Sequence, residues 1–285
     1  MTQLIDHDHS DHELEEDDRG LAYDLTTLDR RRVLKLLGFG GVSATLFTIA
    51  GCGPSGSSAS SAASAGAAIA GASGASCAII PEETAGPFPG DGSNGPNVLA
   101  DSGVVRRDIR SSFGSSTTVA PGIPLTIQLT IEDGTDCAPL AGAAVYVWHC
   151  DQAGQYSLYT QAIANENYLR GVQAADDSGL VTFTSVFPAC YPGRWPHIHF
   201  EVYPSLAMAT TEANKIATSQ IALPKDSCDA VFATDAYSQS VGNLAQLSLA
   251  SDNVFRDDAG VQQLGTVSGN ITNGLTVALT VPVNA

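Results

Sequence analysis

Basic side chains are scarce in this 285-residue chain: 13 Lys and Arg stand against 30 Asp and Glu, a formal net charge of −17. Such a balance repels phosphate backbones and argues against a nucleic-acid partner. An apolar run of membrane-spanning length is also missing, because the moderately apolar segment Leu36 to Gly51 is too short and too glycine-rich to span a bilayer well by itself. No long, capped amphipathic helix appears, so β-structure is left to supply the fold. Histidine is sparse too. Of six in the chain, His7, His9 and His12 lie in an acidic leader, and any imidazole chemistry in the folded part must use His149, His197 and His199.

What is present first is an address. The run Asp29-Arg30-Arg31-Arg32-Val33-Leu34-Lys35 fits the twin-arginine export pattern, although Val33 replaces the usual phenylalanine and the leader before it is long and acidic. Ile49-Ala50-Gly51-Cys52 resembles the lipobox at which bacterial lipoprotein precursors are cut and acylated, which predicts a lipid anchor at Cys52 and membrane contact through it. The plainer alternative is a secretory cleavage that leaves Cys52 an ordinary thiol. From Gly53 to Ser76 every residue except Pro54 and Ile69 is Gly, Ala or Ser, a flexible tether with a reach on the order of 25 to 30 Å. The expected organisation is a signal over 1–52, a tether over 53–76 and one folded domain over 77–285. The expected location is exported by the twin-arginine route, at the cell surface or in the periplasm.

Without residues 1–52 the formal charge is about −12, still acidic. Beyond Cys52 the cysteines are Cys77, Cys137, Cys150, Cys190 and Cys228, consistent with an exported protein carrying one or two disulfides. Five is an odd number, so one thiol stays unpaired unless Cys52 joins in. Cys150 and Cys190 flank the histidine motif, either as a brace for it or as small buried residues.

Leu125, Ile127, Leu129 and Ile131 alternate with Thr126, Gln128 and Thr130, the pattern of a half-buried strand ending at the Asp133-Gly134 turn. Further strands are predicted over 143–149, 180–186, 197–203, 218–223 and 275–281, separated by turns such as Ala153-Gly154 and Asp177-Ser178-Gly179. Short strands at this spacing predict an all-β fold: a β-sandwich of mostly antiparallel strands with long active-site loops.

The densest chemistry lies in C-Y-P-G-R-W-P-H-I-H-F, from Cys190 to Phe200. On a strand His197 and His199 project from one face, about 6 to 7 Å apart at their Cα atoms, with Ile198 opposite. Two neutral imidazoles suit many divalent metals, so the rest of the shell decides. A two-histidine, one-carboxylate triad is disfavoured, since Glu201 lies two residues beyond His199 and could at best share its face. What stands nearby is phenol: Tyr191, six residues before His197, and Tyr156 in D-Q-A-G-Q-Y. Tyrosine ligates well only when a strongly Lewis-acidic ion removes its proton. Ferric iron does this better than zinc, and two tyrosinates with two histidines would hold iron as Fe(III). A zinc or copper site remains the alternative that elemental analysis would expose.

These segments together resemble the intradiol ring-cleaving catechol dioxygenases, in particular the protocatechuate 3,4-dioxygenase type of core. The likeness runs from Ile80 to about Pro224. P-E-E-T-A-G-P-F at Pro81 to Phe88 is similar to the family's opening motif, and V-W-H-C-D-Q-A-G-Q-Y to the strand and turn that carry the first tyrosine ligand, here Tyr156. Tyr168 to Val186 matches the hairpin that follows. Y-P-G-R-W-P-H-I-H-F carries the second tyrosine, Tyr191, with His197 and His199, and Arg194 sits at the family's active-site arginine. T-S-Q-I at Thr218 to Ile221 puts Gln220 at its active-site glutamine. The resemblance implies one non-haem Fe(III) per chain, a catechol-type substrate, O2 as co-substrate and cleavage between the two hydroxylated carbons to a muconate-type diacid. It also implies that Tyr191 leaves the metal as substrate binds while Tyr156 stays, that Arg194 stabilises carbanion character on the ring, and that Gln220 orients the intermediate. The helical N-terminal region with which catechol 1,2-dioxygenases dimerise has no counterpart, and the short Tyr191 to His197 interval trims a substrate-shaping loop, so an open pocket is expected.

A different functional class has its own support. P-L-A-G-A-A-V-Y-V-W with D-D-S-G-L-V-T-F-T-S-V resembles the transthyretin-like modules of secreted proteins, a non-enzymatic β-sandwich for binding or adhesion. Such a module has no use for clustered Tyr, Arg and His. His149, after Trp148 on a core strand, reads as structural, and Tyr146, Tyr159, Tyr168 and Tyr203 as core or rim aromatics. Tyr156 is preferred to Tyr159 or Tyr168 as the first ligand by its place after the Ala153-Gly154 turn. The Asn270-Ile271-Thr272 sequon is taken as accidental beside a bacterial-type signal.

Overall fold

The structure, a computed structural model, describes residues 77–285. The expected signal over 1–52, including Cys52, and the tether over 53–76 lie outside the described residues.

The described chain is mostly β. Its strands are β1 (Pro124–Asp133), β2 (Ala144–Trp148), β3 (Arg170–Ala174), β4 (Leu180–Val186), β5 (His197–Tyr203), β6 (Ala217–Ala222), β7 (Thr266–Asn270) and β8 (Gly274–Val283). They form two four-stranded sheets, ordered β4-β1-β8-β7 and β3-β2-β5-β6. Every pairing is antiparallel except β1 with β8. Alternation in β1 sends Leu125, Ile127, Leu129 and Ile131 into the space between the sheets. There they meet Val145 and Val147 of β2, Ile198, Phe200 and Val202 of β5, and Val277 and Val281 of β8.

The second sheet is buried on both faces, and this positions the site. The other face of β2 carries Ala144, Tyr146 and Trp148 into a separate cluster roofed by the 85–113 segment and the 150–159 loop. His197, His199, Glu201 and Tyr203 point from β5 to that same side. All seven residues of β5 are buried, so its polar face is covered by loops rather than by water.

Several elements depart from the sequence expectation. Tyr168 to Val186 is not a hairpin: β3 ends one sheet and β4 ends the other, and the 175–179 turn carries the chain between layers. Two short helices, α1 (Lys225–Phe232) and α2 (Ser238–Leu244), were not predicted. Their apolar residues Cys228, Val231, Phe232 and Leu244 close one end of the core. Among the described residues one disulfide, Cys77–Cys137, pins the start of the described chain beside the turn after β1, while Cys150, Cys190 and Cys228 are buried thiols. The flanking pair is therefore not a disulfide brace. Among the described residues no helix is long and apolar enough to cross a membrane.

Candidate metal centre

Each of the four proposed ligands is held by its own local device. Tyr156 rides on a loop shaped by Asp151, whose Oδ1 accepts hydrogen bonds from the backbone N–H of Ala153 (2.8 Å) and Gln155 (3.0 Å). Gly154 in that turn has φ +81°, and a Cβ there would lie 3.2 Å from Tyr191 Cβ, so the loop packs closely on the second tyrosine. Arg170, 1% exposed, staples the loop to the opening segment by donating to the carbonyls of Ser157 and Phe88, both at 2.9 Å, and of Pro89 at 2.8 Å. His197 donates from Nδ1 to the Trp195 carbonyl at 2.6 Å, which leaves its Nε2 as a lone pair facing the cluster. The His199 ring stacks on Trp148, centroids 4.8 Å apart and planes 5° apart.

The polar ends converge. His197 Nε2 lies 3.1 Å from His199 Nε2, 3.2 Å from Tyr191 Oη and 3.4 Å from Tyr156 Oη, and the two phenol oxygens are 3.5 Å apart. His199 Nδ1 is buried with no hydrogen-bond partner. The four atoms can share hydrogen bonds through the phenol protons, and their converging lone pairs also suit a single cation. Among the described residues no group of three or more His, Cys, Asp or Glu could hold a metal, so a metal here depends on the tyrosines.

Electrostatics agree with that demand. Burial, and then the Arg194 charge, push His197 down to about 3, and burial followed by His197 holds His199 well below its ordinary value. Both imidazoles are therefore neutral, the form that binds metal. Burial, reinforced by Tyr191, drives Tyr156 well above the ordinary phenol value, so only a strongly Lewis-acidic ion would take its proton. Tyr156, His197 and His199 are buried and Tyr191 is half-buried, so Tyr191 is the most exposed of the four.

Arg194 and Gln220 adjoin the cluster. Gln220 pairs across β5 and β6 with His199. Its Oε1 accepts from Arg194 Nη2 at 2.7 Å, and its Nε2 donates to the Thr84 carbonyl at 3.0 Å. Arg194 Nε donates to Asp252 Oδ2 at 3.0 Å. Burial raises the Asp252 carboxyl, but Arg194 and the Trp195 N–H outweigh it and hold the group below the usual carboxylate range.

All six site residues expected from sequence thus share one neighbourhood. Tyr159 and Tyr168 stay out of it, with Tyr159 Oη donating to the Asn94 carbonyl at 2.7 Å and Tyr168 Oη to Asp151 at 3.2 Å. His149 is structural, its nitrogens 2.7 Å from the Cys150 carbonyl and from Ser185 Oγ. Sequence reasoning missed Trp148, Gly86 and Asp252. Gly86 approaches His199 so closely that a Cβ would sit 3.3 Å from its Cε1. Its place in P-E-E-T-A-G-P-F was a usable signal; Asp252 had none nearby.

Comparison with known proteins covers this same region. Residues 95–227 match the family described as Dioxygenase, a stretch that contains all six residues and not Asp252. The chain is 32% identical over 101 residues to a catechol 1,2-dioxygenase of Candida albicans, covering 34% of this chain and 31% of that one. It is 31% identical over 71 residues to a chlorocatechol 1,2-dioxygenase of Rhodococcus opacus, covering 25% and 27%. The matches thus span about a third or less of those relatives. The fold is shared with the intradiol ring-cleavage dioxygenase from Tetranychus urticae, at a TM-score of 0.58 and 24% identity over 73% of this chain and 95% of that one. Residues 95–227 are thus similar to the dioxygenase family, and the described fold is like that of an intradiol ring-cleavage dioxygenase. More narrowly, these two relatives are a catechol and a chlorocatechol 1,2-dioxygenase, each about a third identical over the stretch matched.

Proposed function

We propose that this protein is a non-haem Fe(III) dioxygenase that cleaves a catechol-type ring between its two hydroxylated carbons with O2, giving a muconate-type diacid. The observation that carries this reading is the convergence of both tyrosine oxygens and His199 Nε2 on His197 Nε2, at 3.1 to 3.4 Å. Tyr156, Tyr191, His197 and His199 would hold the ion. When bound, ferric iron supplies the Lewis acidity and redox chemistry through which catechol and O2 react.

The protein's own groups divide the remaining work. The half-buried Tyr191 is the most exposed of the four and is suited to take up a proton from an incoming catechol hydroxyl at its Oη. Tyr156 is buried against Phe88, ring centroids 4.9 Å apart, and keeps its place. Trp195 and Trp148 fix the two imidazole rings. The Arg194 guanidinium stabilises negative charge that develops on the ring. Gln220 holds Arg194 through Oε1, and the second N–H of its Nε2 is a donor for a bound oxygen.

Protein purified from iron-replete cells should be red-brown from tyrosinate charge transfer, change colour with catechol, and consume O2 against a panel of catechols with intradiol products. Colourless, iron-free protein would instead favour a transthyretin-like binding module. Zinc or copper by elemental analysis would overturn the choice of metal. We also propose that residues 1–52 direct export by the twin-arginine route, with 53–76 as tether and a lipid on Cys52; mass spectrometry of the mature N-terminus finding an unmodified or retained segment would reject this.

A further inference from the structure

Asp252 lies 58 residues beyond Arg194, outside the stretch that matches the dioxygenase family, and is wholly buried. Both of its oxygens are committed. Oδ2 accepts from Arg194 Nε at 3.0 Å and from the Trp195 N–H at 2.7 Å, and Oδ1 accepts from the N–H of Val254 (2.9 Å) and Phe255 (3.2 Å). The last two bonds lock the carboxylate into its own turn, so it is a fixed anchor. A planar guanidinium held at Nε by Asp252 and at Nη2 by Gln220 has its plane and its rotation both determined. Arg194 is only 3% exposed, so removing this anion takes a buried countercharge from its guanidinium. The same Oδ2 anchors Trp195, whose carbonyl orients His197.

We propose that Asp252 is the positioning residue for Arg194, aiming its guanidinium at the substrate side of the Tyr156, Tyr191, His197 and His199 cluster. The inference rests on the dioxygenase reading. It extends the working site into the C-terminal segment, beyond the stretch 95–227 that matches the dioxygenase family.

The test compares wild type, Asp252→Asn, Arg194→Lys and the double variant, each loaded with ferric iron. Asp252→Asn should keep the tyrosinate charge-transfer spectrum and a cooperative melt. Its kcat for catechol should fall about 10- to 100-fold, with a smaller change in KM. The double variant should be no worse than Arg194→Lys alone, because both changes break one unit. In iron-free protein, nitrogen-15 NMR should find the Arg194 Nε–H protected from exchange in wild type and exposed in Asp252→Asn. Wild-type kcat in Asp252→Asn, or losses that multiply in the double variant, would overturn the proposal. So would an Arg194 Nε–H in wild type that exchanges like an exposed arginine, a measurement that decides the matter even if Asp252→Asn does not fold. Wild type that holds iron and protects this N–H yet turns over no catechol would sink the dioxygenase reading, and with it the role of Asp252.

Discussion

At the scale of single residues, the two tyrosines have the same chemistry and different surroundings. Tyr156 is enclosed and Tyr191 is half open, so their phenylalanine variants should fail differently. Tyr156→Phe should lose iron and colour together, measured as metal content and visible absorbance. Tyr191→Phe should keep iron while kcat falls about 10²- to 10⁴-fold, the range for losing a positioned proton acceptor. Glu83 offers a pH test outside the Tyr-His cluster. Burial raises its carboxyl to about 7 from an ordinary 4.5, against a hydrogen bond from Gln263 Nε2 at 3.1 Å. A raised folded pKa means a proton is taken up on folding, so the stabilisation is fully present below pH 4.5 and is lost as pH rises through 7. Relative to Glu83→Gln, wild type should therefore lose on the order of 2 to 3 kcal/mol of unfolding free energy across that window. Parallel denaturation profiles for the two proteins would refute the burial argument.

At the scale of elements, β5 unites fold and site: Ile198, Phe200 and Val202 join the core while His197 and His199 face the loops. Its bounds, like those of β4, were legible in the sequence because alternation of residue type is a local property. β3 and β7 were not. R-G-V-Q-A has a glycine and two polar side chains among its five residues, and T-V-S-G-N is an exposed edge strand with little apolar pattern to detect. The opening segment is the element that presses on the Tyr-His cluster, through Gly86 at φ +70° against His199. Gly86→Ala should cost about 1 to 2 kcal/mol from backbone strain. It should also lower iron occupancy, read by metal analysis of protein that still melts cooperatively.

At the scale of the whole molecule, the Cys77–Cys137 bond closes a loop with a sequence separation of 60. Cys77→Ser should lower the unfolding free energy by about 2 to 4 kcal/mol, measured by denaturant titration, with iron content and colour unchanged because the bond lies away from the site. Chelation should bleach the protein and lower its melting temperature, since a ligand that binds only the folded state stabilises it by mass action. Ferric salt should restore both. The two sheets cooperate at this scale: one supplies an apolar floor, and the loops over the other exclude water from the cluster.

The sequence by itself determined the residue types and their spacing: two histidines on one face of a strand, two tyrosines in marked turns, an arginine and a glutamine in matching contexts. It also determined the β-sandwich, because alternation is written locally. Only the tertiary structure decided which atoms meet. It separated Tyr156 from Tyr159 and Tyr168, turned an expected hairpin into a crossing between sheets, left Cys150 and Cys190 as thiols, and brought Asp252 against Arg194. The physical reason is that contacts between distant segments depend on how loops close over a sheet, and no periodicity in the chain records that.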